Sequence, residues 1–200
     1  MNRSCDDAHH QCTYPQPKFD LDDLLYEGCD RDMIKNGVTL LPNPSIFKIN
    51  EMTFGVNSVD VMRHLLKEDV CRTPQGVKKL AFTKRLPFHL WHQRSFYPLY
   101  PAGQKPSGQP EIAVDLGRAE QLHLGDKKPD CMILCSKLNH FATDCEDVLC
   151  INPGRLTKGV SGGTFARLVI QPYESQKLES QEDDLQLSND MLSRTAVEVS

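Results

Sequence analysis

The chain has 200 residues, with 23 Lys and Arg against 27 Asp and Glu, and a formal net charge of −4. This length predicts one domain or two small ones, and an apolar fraction of 39% excludes a wholly disordered chain. No apolar run approaches the ~20 residues of a membrane span, and acids and histidines stand at 6–10, where a signal peptide needs an apolar core. We therefore expect neither a membrane partner nor secretion.

The first part of the chain, to about residue 43, is predicted to be irregular, with one or two helical turns at 20–27. Two short apolar runs, 46–49 and 52–56, flank a tight Asn-Glu turn and predict a pair of strands. Ser58 then stands in N-cap position for a helix over 59–67 with one apolar stripe (Val61, Met62, Leu65 and Leu66).

A second helical region is predicted over 75–93, although Pro87 should kink or split it. Two prolines then force an extended backbone at 94–101, and 103–109 reads as a polar loop. The extended segment carries three aromatic residues (Phe96, Tyr97 and Tyr100). They either contact a partner or single-stranded nucleic acid, or they cover the edge of the core.

Four further strands are predicted at 111–116, 131–135, 147–151 and 166–171, and a last one at 195–199. Many short strands with few long helices indicate an α/β domain with more strand than helix. The C-terminal residues 174–200, which include the last predicted strand, contain seven acids and two bases, a local charge of −5. The acidic, Ser- and Gln-rich stretch within them is predicted to be disordered or an extended loop.

Residues 71–110 contain no acid and seven bases (Arg72, Lys78, Lys79, Lys84, Arg85, Arg94 and Lys105). Such an asymmetry indicates either a polyanion-binding segment or a solvated helix face. The eight cysteines leave two alternatives as well, a zinc site or buried core thiols. On an extended strand Cys131 and Cys135 would stand ~13 Å apart, too far to bind one ion, so core thiols are favoured.

The stretch 152–167 has four glycines, one proline and three bases between two predicted strands. Its exposed amides, with Arg155 and Lys158, would suit an oxyanion. It is not a Walker loop, because Lys158 does not stand in G-x₄-G-K-[ST] before a helix.

This stretch closely resembles the C-terminal signature of the B subunits of DNA polymerase alpha, and three earlier strings share the resemblance in the same order. The strings are DAHH at 7–10 with YPQP at 14–17, FGVNSVD at 54–60 with HL at 64–65, QRSFYPLYP at 93–101, and NPGRLTKG at 152–159 with GGTFARL at 162–168.

The resemblance implies a nuclear, non-catalytic subunit of the polymerase alpha–primase complex, which makes RNA–DNA primers. It also implies a calcineurin-like phosphoesterase domain with a decayed active site, without cofactor or metal. The chain has no Gly-Asn-His and no Gly-His-x-His string, both of which two-metal phosphoesterases need.

From the resemblance we expect residues 1–173 to be the C-terminal portion of that domain, 174–193 an acidic insertion, and 194–200 its last strand, possibly cut short. A half-sheet leaves an unpaired edge, so we expect a fragment of a larger subunit that folds poorly alone. The expected partners are the catalytic subunit, primase indirectly, and DNA as the alternative through the 71–110 segment. The candidate contact residues are Arg94, Phe96, Tyr97, Tyr100, Arg155, Lys158 and Arg167, and those that shape the loop are Pro153, Gly154, Gly159, Gly162 and Gly163.

Overall fold

The computed structural model describes residues 13–20, 31–172 and 191–199. Its elements in chain order are β1 (Thr13–Tyr14), α1 (Arg31–Gly37), β2 (Ser45–Ile49), β3 (Met52–Asn57), α2 (Val61–Glu68), α3 (Phe82–His92), β4 (Ala113–Val114), a 3₁₀ helix (Leu116–Leu122), β5 (Cys131–Leu134), β6 (Phe141–Cys145), β7 (Val148–Asn152), β8 (Thr157–Lys158), β9 (Ser161–Gly162), β10 (Ala166–Ile170), α4 (Met191–Arg194) and β11 (Thr195–Val199).

A five-stranded sheet with the order β2-β3-β5-β7-β6 organises the molecule. The three inner strands run parallel, with Phe54 paired to Cys131 and Cys131 to Leu149. The two edge strands are antiparallel to their neighbours and are joined to them by short turns. The carboxyl ends of β3, β5 and β7 therefore meet at one edge of the sheet.

The sheet is covered on both faces. On one face α2 and α3 pack through residues such as Met62, Leu86 and Leu90 against Met132 and Leu134 of β5. On the other face the antiparallel pair β10–β11 packs Leu168 and Val197 against Met52, Phe54 and Ile151. The mixed α/β class with β-rich layers and flanking helices, as expected from the sequence, is what the structure shows.

Most predicted strands form near their predicted positions. The exception is 111–116, where only Ala113–Val114 forms a strand, because its partner β1 has just two residues. Asp115 then accepts a hydrogen bond from the amide of Gly117 and starts the 3₁₀ helix. The strand β6 was not predicted. The glycine-rich loop also holds the small antiparallel pair β8–β9.

The predicted helices need three corrections. The N-cap of α2 is Asp60, whose carboxylate accepts from the amide of Arg63, while the amide of Ser58 donates to Asn43. The buried stripe of α2 contains His64 in place of the exposed Leu66. Helix α3 begins only at Phe82, and it continues through Pro87 without the expected split.

Several predictions fall outside the described residues. They are the helical turns at 20–27, apart from Asp20, and the acidic stretch at 174–190. Residues 191–193 of the expected insertion are described, and they belong to α4. Within the described ranges, no helix is long and apolar enough to cross a membrane.

The described cysteines favour the core-thiol interpretation. Cys131, Cys145 and Cys150 are buried, and Cys71 and Cys135 are partly exposed. Burial raises the pKa of Cys131 to about 12 and that of Cys145 to about 11, so both thiols stay protonated at neutral pH.

Candidate functional site

Buried amide side chains organise the edge at which the inner strands end. Asn57, the last residue of β3, accepts hydrogen bonds from the hydroxyl of Tyr14 at 3.2 Å and the amide of Val59 at 3.0 Å. Its own side-chain amide donates to the carbonyl of Phe96 at 3.0 Å. Asn57 thereby ties β1, the start of the α2 segment and the 94–101 segment to the end of one strand.

Asn152, the last residue of β7, ties the loop after β5 to the loop after β7. Its Oδ1 accepts from the amides of Ser136 and Gly154, each at 3.1 Å. Its Nδ2 donates to the carbonyls of Leu138 and Asn139 at 3.2 and 3.1 Å. Because the side chain is fully buried, these four bonds fix the positions at which both loops leave the sheet.

Asp60 joins helix α2 to the loop after β5. Besides capping the helix, its carboxylate accepts from the hydroxyl of Ser136 at 2.5 Å and the amide of Lys137 at 2.8 Å. The carboxylate of Asp60 therefore accepts three hydrogen bonds from the protein itself.

His64, Tyr97 and Glu111 form a second polar cluster. The hydroxyl of Tyr97 accepts from the amide of Gly103 at 3.0 Å and lies 2.9 Å from Nδ1 of His64. Because the carboxylate of Glu111, 2.7 Å from Nε2, can only accept, the proton of the neutral histidine lies on Nε2, and Nδ1 accepts from the hydroxyl of Tyr97. Burial lowers the pKa of His64, although the charge of Glu111 opposes the shift.

We expect acid to destabilise the protein through His64. An unfolded histidine takes up its proton near pH 6.5, but the folded site, with its lowered pKa, resists it. The contribution of His64 is complete above that value and is lost as the pH falls towards its folded pKa. The pKa of Glu111 is lowered by its hydrogen bond from Lys67, so its contribution is lost only at more acidic pH, below the ordinary carboxyl value.

Urea unfolding at pH 7, 6 and 5 tests this prediction. His64→Gln should flatten the fall in the free energy of unfolding between pH 7 and 5, whereas the exposed His140→Gln should leave it unchanged. An equal slope in wild type and His64→Gln would contradict the assignment.

An open cleft of about 1020 Å³ lies over the carboxyl ends of the inner strands. Its wall includes Asp60, His64 and Glu111 from the two polar clusters. Its rim carries basic side chains, namely Arg63, Lys105, Lys137 and Arg155.

The glycine-rich loop after β7 is closed by its own backbone. Thr164 donates from its hydroxyl to the carbonyl of Pro153 and from its amide to the carbonyl of Arg155, both at 2.7 Å. Gly154 has a φ of +77°, a conformation that side chains disfavour. At Gly163 a Cβ would lie 1.8 Å from the carbonyl oxygen of Arg155, so only glycine fits.

The other two loop glycines have room for a side chain, since a Cβ at Gly159 or Gly162 would meet nothing within 4 Å. Gly159 nevertheless has a positive φ, of +66°. Pro153 is half-buried.

The structure separates the three aromatic residues of the 94–101 segment. Phe96 and Tyr97 are 1% and 4% exposed and belong to the main core, whereas Tyr100 is 82% exposed. Of the two interpretations of these residues, coverage of the core fits Phe96 and Tyr97, and a contact surface fits only Tyr100. Arg94 is exposed and pairs with Asp126 at 2.7 Å.

The remaining contact candidates lie on different elements. Arg155 lines the cleft, and Lys158 lies on β8. Arg167 is exposed on β10 opposite Glu198 of β11. Sequence reasoning did not identify Asn57, Asp60, His64, Glu111 or Asn152 as residues that form the site. For Asn57 and Asn152 a signal was available, because each directly follows an apolar run and parallel strands end at a common edge.

Acids from elsewhere in the chain neutralise part of the positive charge of the 71–110 segment. Arg85 pairs with Asp69 and Arg94 with Asp126, both acids from outside the segment. Four of its bases remain exposed on and before α3 (Arg72, Lys78, Lys79 and Lys84).

Within the described ranges, no group of three or more His, Cys, Asp or Glu residues could hold a metal ion. One element of a two-metal hydrolase, an Asp-x-His string, does occur at Asp7-Ala8-His9, which lies outside those ranges.

Comparison with known proteins identifies the family. A family model described as the B subunit of DNA polymerase alpha/epsilon matches residues 4–143. The B subunit of DNA polymerase alpha from Schizosaccharomyces pombe is 39% identical over 133 residues, which are 66% of this chain and 22% of that protein. The proteins of the same name from Rattus norvegicus and Drosophila melanogaster are 34% and 37% identical over 165 and 134 residues, covering 82% and 66% of this chain and 25% and 20% of theirs.

The chain thus spans about a quarter or less of the length of these relatives. The resemblance carried by the four sequence strings is confirmed. The chain belongs to the family of DNA polymerase alpha/epsilon B subunits.

Proposed function

We propose that the chain acts as a non-catalytic scaffold within a nuclear DNA polymerase alpha complex, binding the catalytic subunit and helping to orient primase during primer synthesis. The proposal rests on the names of the relatives, each the B subunit of that polymerase. The observation that supports it in this chain is the apolar surface of the glycine-rich loop. Leu156 and Phe165 are 74% and 56% exposed there, and Val160 is fully exposed.

This loop combines exposed apolar side chains with a fixed backbone. The hydrogen bonds of Thr164 and the close approach of Gly163 to Arg155 hold its two arms together. A preformed apolar surface orders few groups on binding, which lowers the entropic cost of association. We therefore place the main contact with the catalytic subunit at Leu156, Val160 and Phe165, with Tyr100 as a further candidate.

Co-purification with the catalytic subunit of DNA polymerase alpha tests the surface. Leu156→Ser and Phe165→Ser should each weaken binding by about tenfold or more, since buried apolar anchors dominate interface energies. Leu116→Ser, on the 3₁₀ helix, removes a side chain of similar exposure, 59%, and should bind as wild type. Equal binding by all three variants would exclude the loop as the contact.

We also propose that the domain has a calcineurin-like phosphoesterase architecture whose catalytic centre has decayed, with 1–173 and 194–200 forming one domain around the acidic stretch. The cleft at the ends of the parallel strands supports this, because ligands of open α/β sheets bind at that edge. Its strand-end residues are Asn57 and Asn152, which are engaged in hydrogen bonds to the surrounding loops.

The alternative function is direct binding of DNA by the 71–110 segment. The exposed bases before and on α3 favour it, and so does the absence of acids from the segment. Binding of this kind would fall steeply with salt as phosphate counterions are released.

A further inference from the structure

Basic side chains from four separate segments surround the cleft. Arg63 comes from α2, Lys105 from the loop before β4, Lys137 from the loop after β5, and Arg155 from the loop after β7. All four residues are exposed. They share one concavity of about 1020 Å³, so their positive charges reinforce one another there.

The acids of the same cleft are engaged by the protein itself. Asp60 accepts hydrogen bonds from Ser136 and from the amides of Arg63 and Lys137. Glu111 pairs with His64 and with Lys67. By contrast, Arg63, Lys105 and Arg155 form no ion pair within the described part of the chain. The cleft therefore presents net positive charge to solvent.

We propose that this cleft is a metal-independent binding site for a multiply charged phosphate group, carried by a nucleotide or by the phosphorylated end of an oligonucleotide. Two guanidinium groups provide planar donors that match phosphate oxygens, and the lysines add positive charge. The size of the cleft suits a ligand of nucleotide dimensions. Guanidinium groups also match carboxylates, so an acidic peptide is the competing ligand that the experiment includes.

The site adjoins the proposed scaffold surface at Arg155 and Leu156 but uses different side chains. The cleft is lined by Arg63, Lys105 and Arg155, whereas the scaffold surface consists of exposed apolar side chains such as Leu156 and Phe165. Either proposal can therefore fail without the other. Phe165→Ser should weaken binding of the catalytic subunit and keep phosphate binding.

Titration calorimetry of the full chain with inorganic tripolyphosphate tests the site, with the thermal unfolding transition of each variant as the check of folding. We expect one ion bound per chain, in EDTA as well as without it. Arg63→Gln with Arg155→Gln should weaken binding by about tenfold or more, since each removes charge-assisted hydrogen bonds. Lys48→Gln with Lys127→Gln removes the same charge from exposed positions away from the cleft and should leave binding within about twofold.

Any one of several results would overturn the proposal. Such results are no binding of tripolyphosphate at millimolar concentration, loss of binding in EDTA, equal weakening by the two double variants, and equally tight binding of hexaglutamate. Equal loss in Arg72→Gln with Lys79→Gln would move the binding to the 71–110 segment and would also overturn it.

Binding of three ligands shows which molecule carries the phosphate group. They are ATP, an oligonucleotide with a 5′-phosphate, and the same oligonucleotide without it. Tighter binding of ATP supports a nucleotide site, and tighter binding of the phosphorylated oligonucleotide supports a strand-end site. Equal binding of both oligonucleotides, with none of ATP, would contradict a site for a terminal phosphate group.

Discussion

Asn152→Ala should destabilise the protein by about 3 kcal/mol or more, because the substitution leaves one buried and one partly buried amide and two carbonyls without their partner. The amides belong to Ser136 and Gly154, and the carbonyls to Leu138 and Asn139. No other single side chain ties the loops after β5 and β7 together in this way among the residues that the structure describes. Urea unfolding monitored by circular dichroism measures the loss.

A neighbouring asparagine provides the control. The side chain of Asn139 is exposed, and only its backbone carbonyl takes part in the network. Asn139→Ala should therefore change the free energy of unfolding by about 0.5 kcal/mol or less. Similar losses in the two variants would show that the Asn152 network contributes little.

Gly163→Ala should disrupt the glycine-rich loop at a cost of about 2–4 kcal/mol. A Cβ at this position would lie 1.8 Å from the carbonyl oxygen of Arg155 and 2.5 Å from the carbonyl carbon of Leu156. Since both atoms are backbone, the loop itself has to move, and the hydrogen bond from Gly163 to Leu156 is lost with it.

The adjacent glycine is the matched control for this substitution. A Cβ at Gly162 meets nothing within 4 Å, so Gly162→Ala should be neutral or slightly stabilising. Urea unfolding and limited proteolysis of the loop distinguish the two variants. Equal resistance to protease and equal stability would mean that the arms of the loop are not held as the structure has them.

The inner strands could be predicted because both of their faces are buried. The runs at 52–56, 131–135 and 147–151 are apolar almost throughout, as expected for parallel strands that are covered on both sides. β6 was missed because it is an edge strand whose alternating burial leaves only Cys145 fully inside. Its sequence, FATDC, has too few apolar residues to predict a strand.

The cap of α2 shows a different limit of sequence reasoning. Ser58 and Asp60 are both good N-cap residues, and only the tertiary structure decides between them. The amides of Ser58 and Val59 are taken by the side chains of Asn43 and Asn57. The N-cap therefore stands two residues later, at Asp60, and the helix begins at Val61. The cleft could not be predicted at all, since its basic residues stand far apart in the chain and only the sheet topology unites them.

The pairing of β3 with β5 has a consequence for how the chain folds during its synthesis. Phe54 pairs with Cys131, more than seventy residues later, and such distant contacts fold slowly. At roughly 5–20 residues per second, translation leaves the inner edge of the β2–β3 hairpin without its partner for several seconds. An open strand edge invites pairing with other chains. The nascent chain therefore exposes an open strand edge to aggregation until residue 131 emerges, and binding of a chaperone during that interval would protect it.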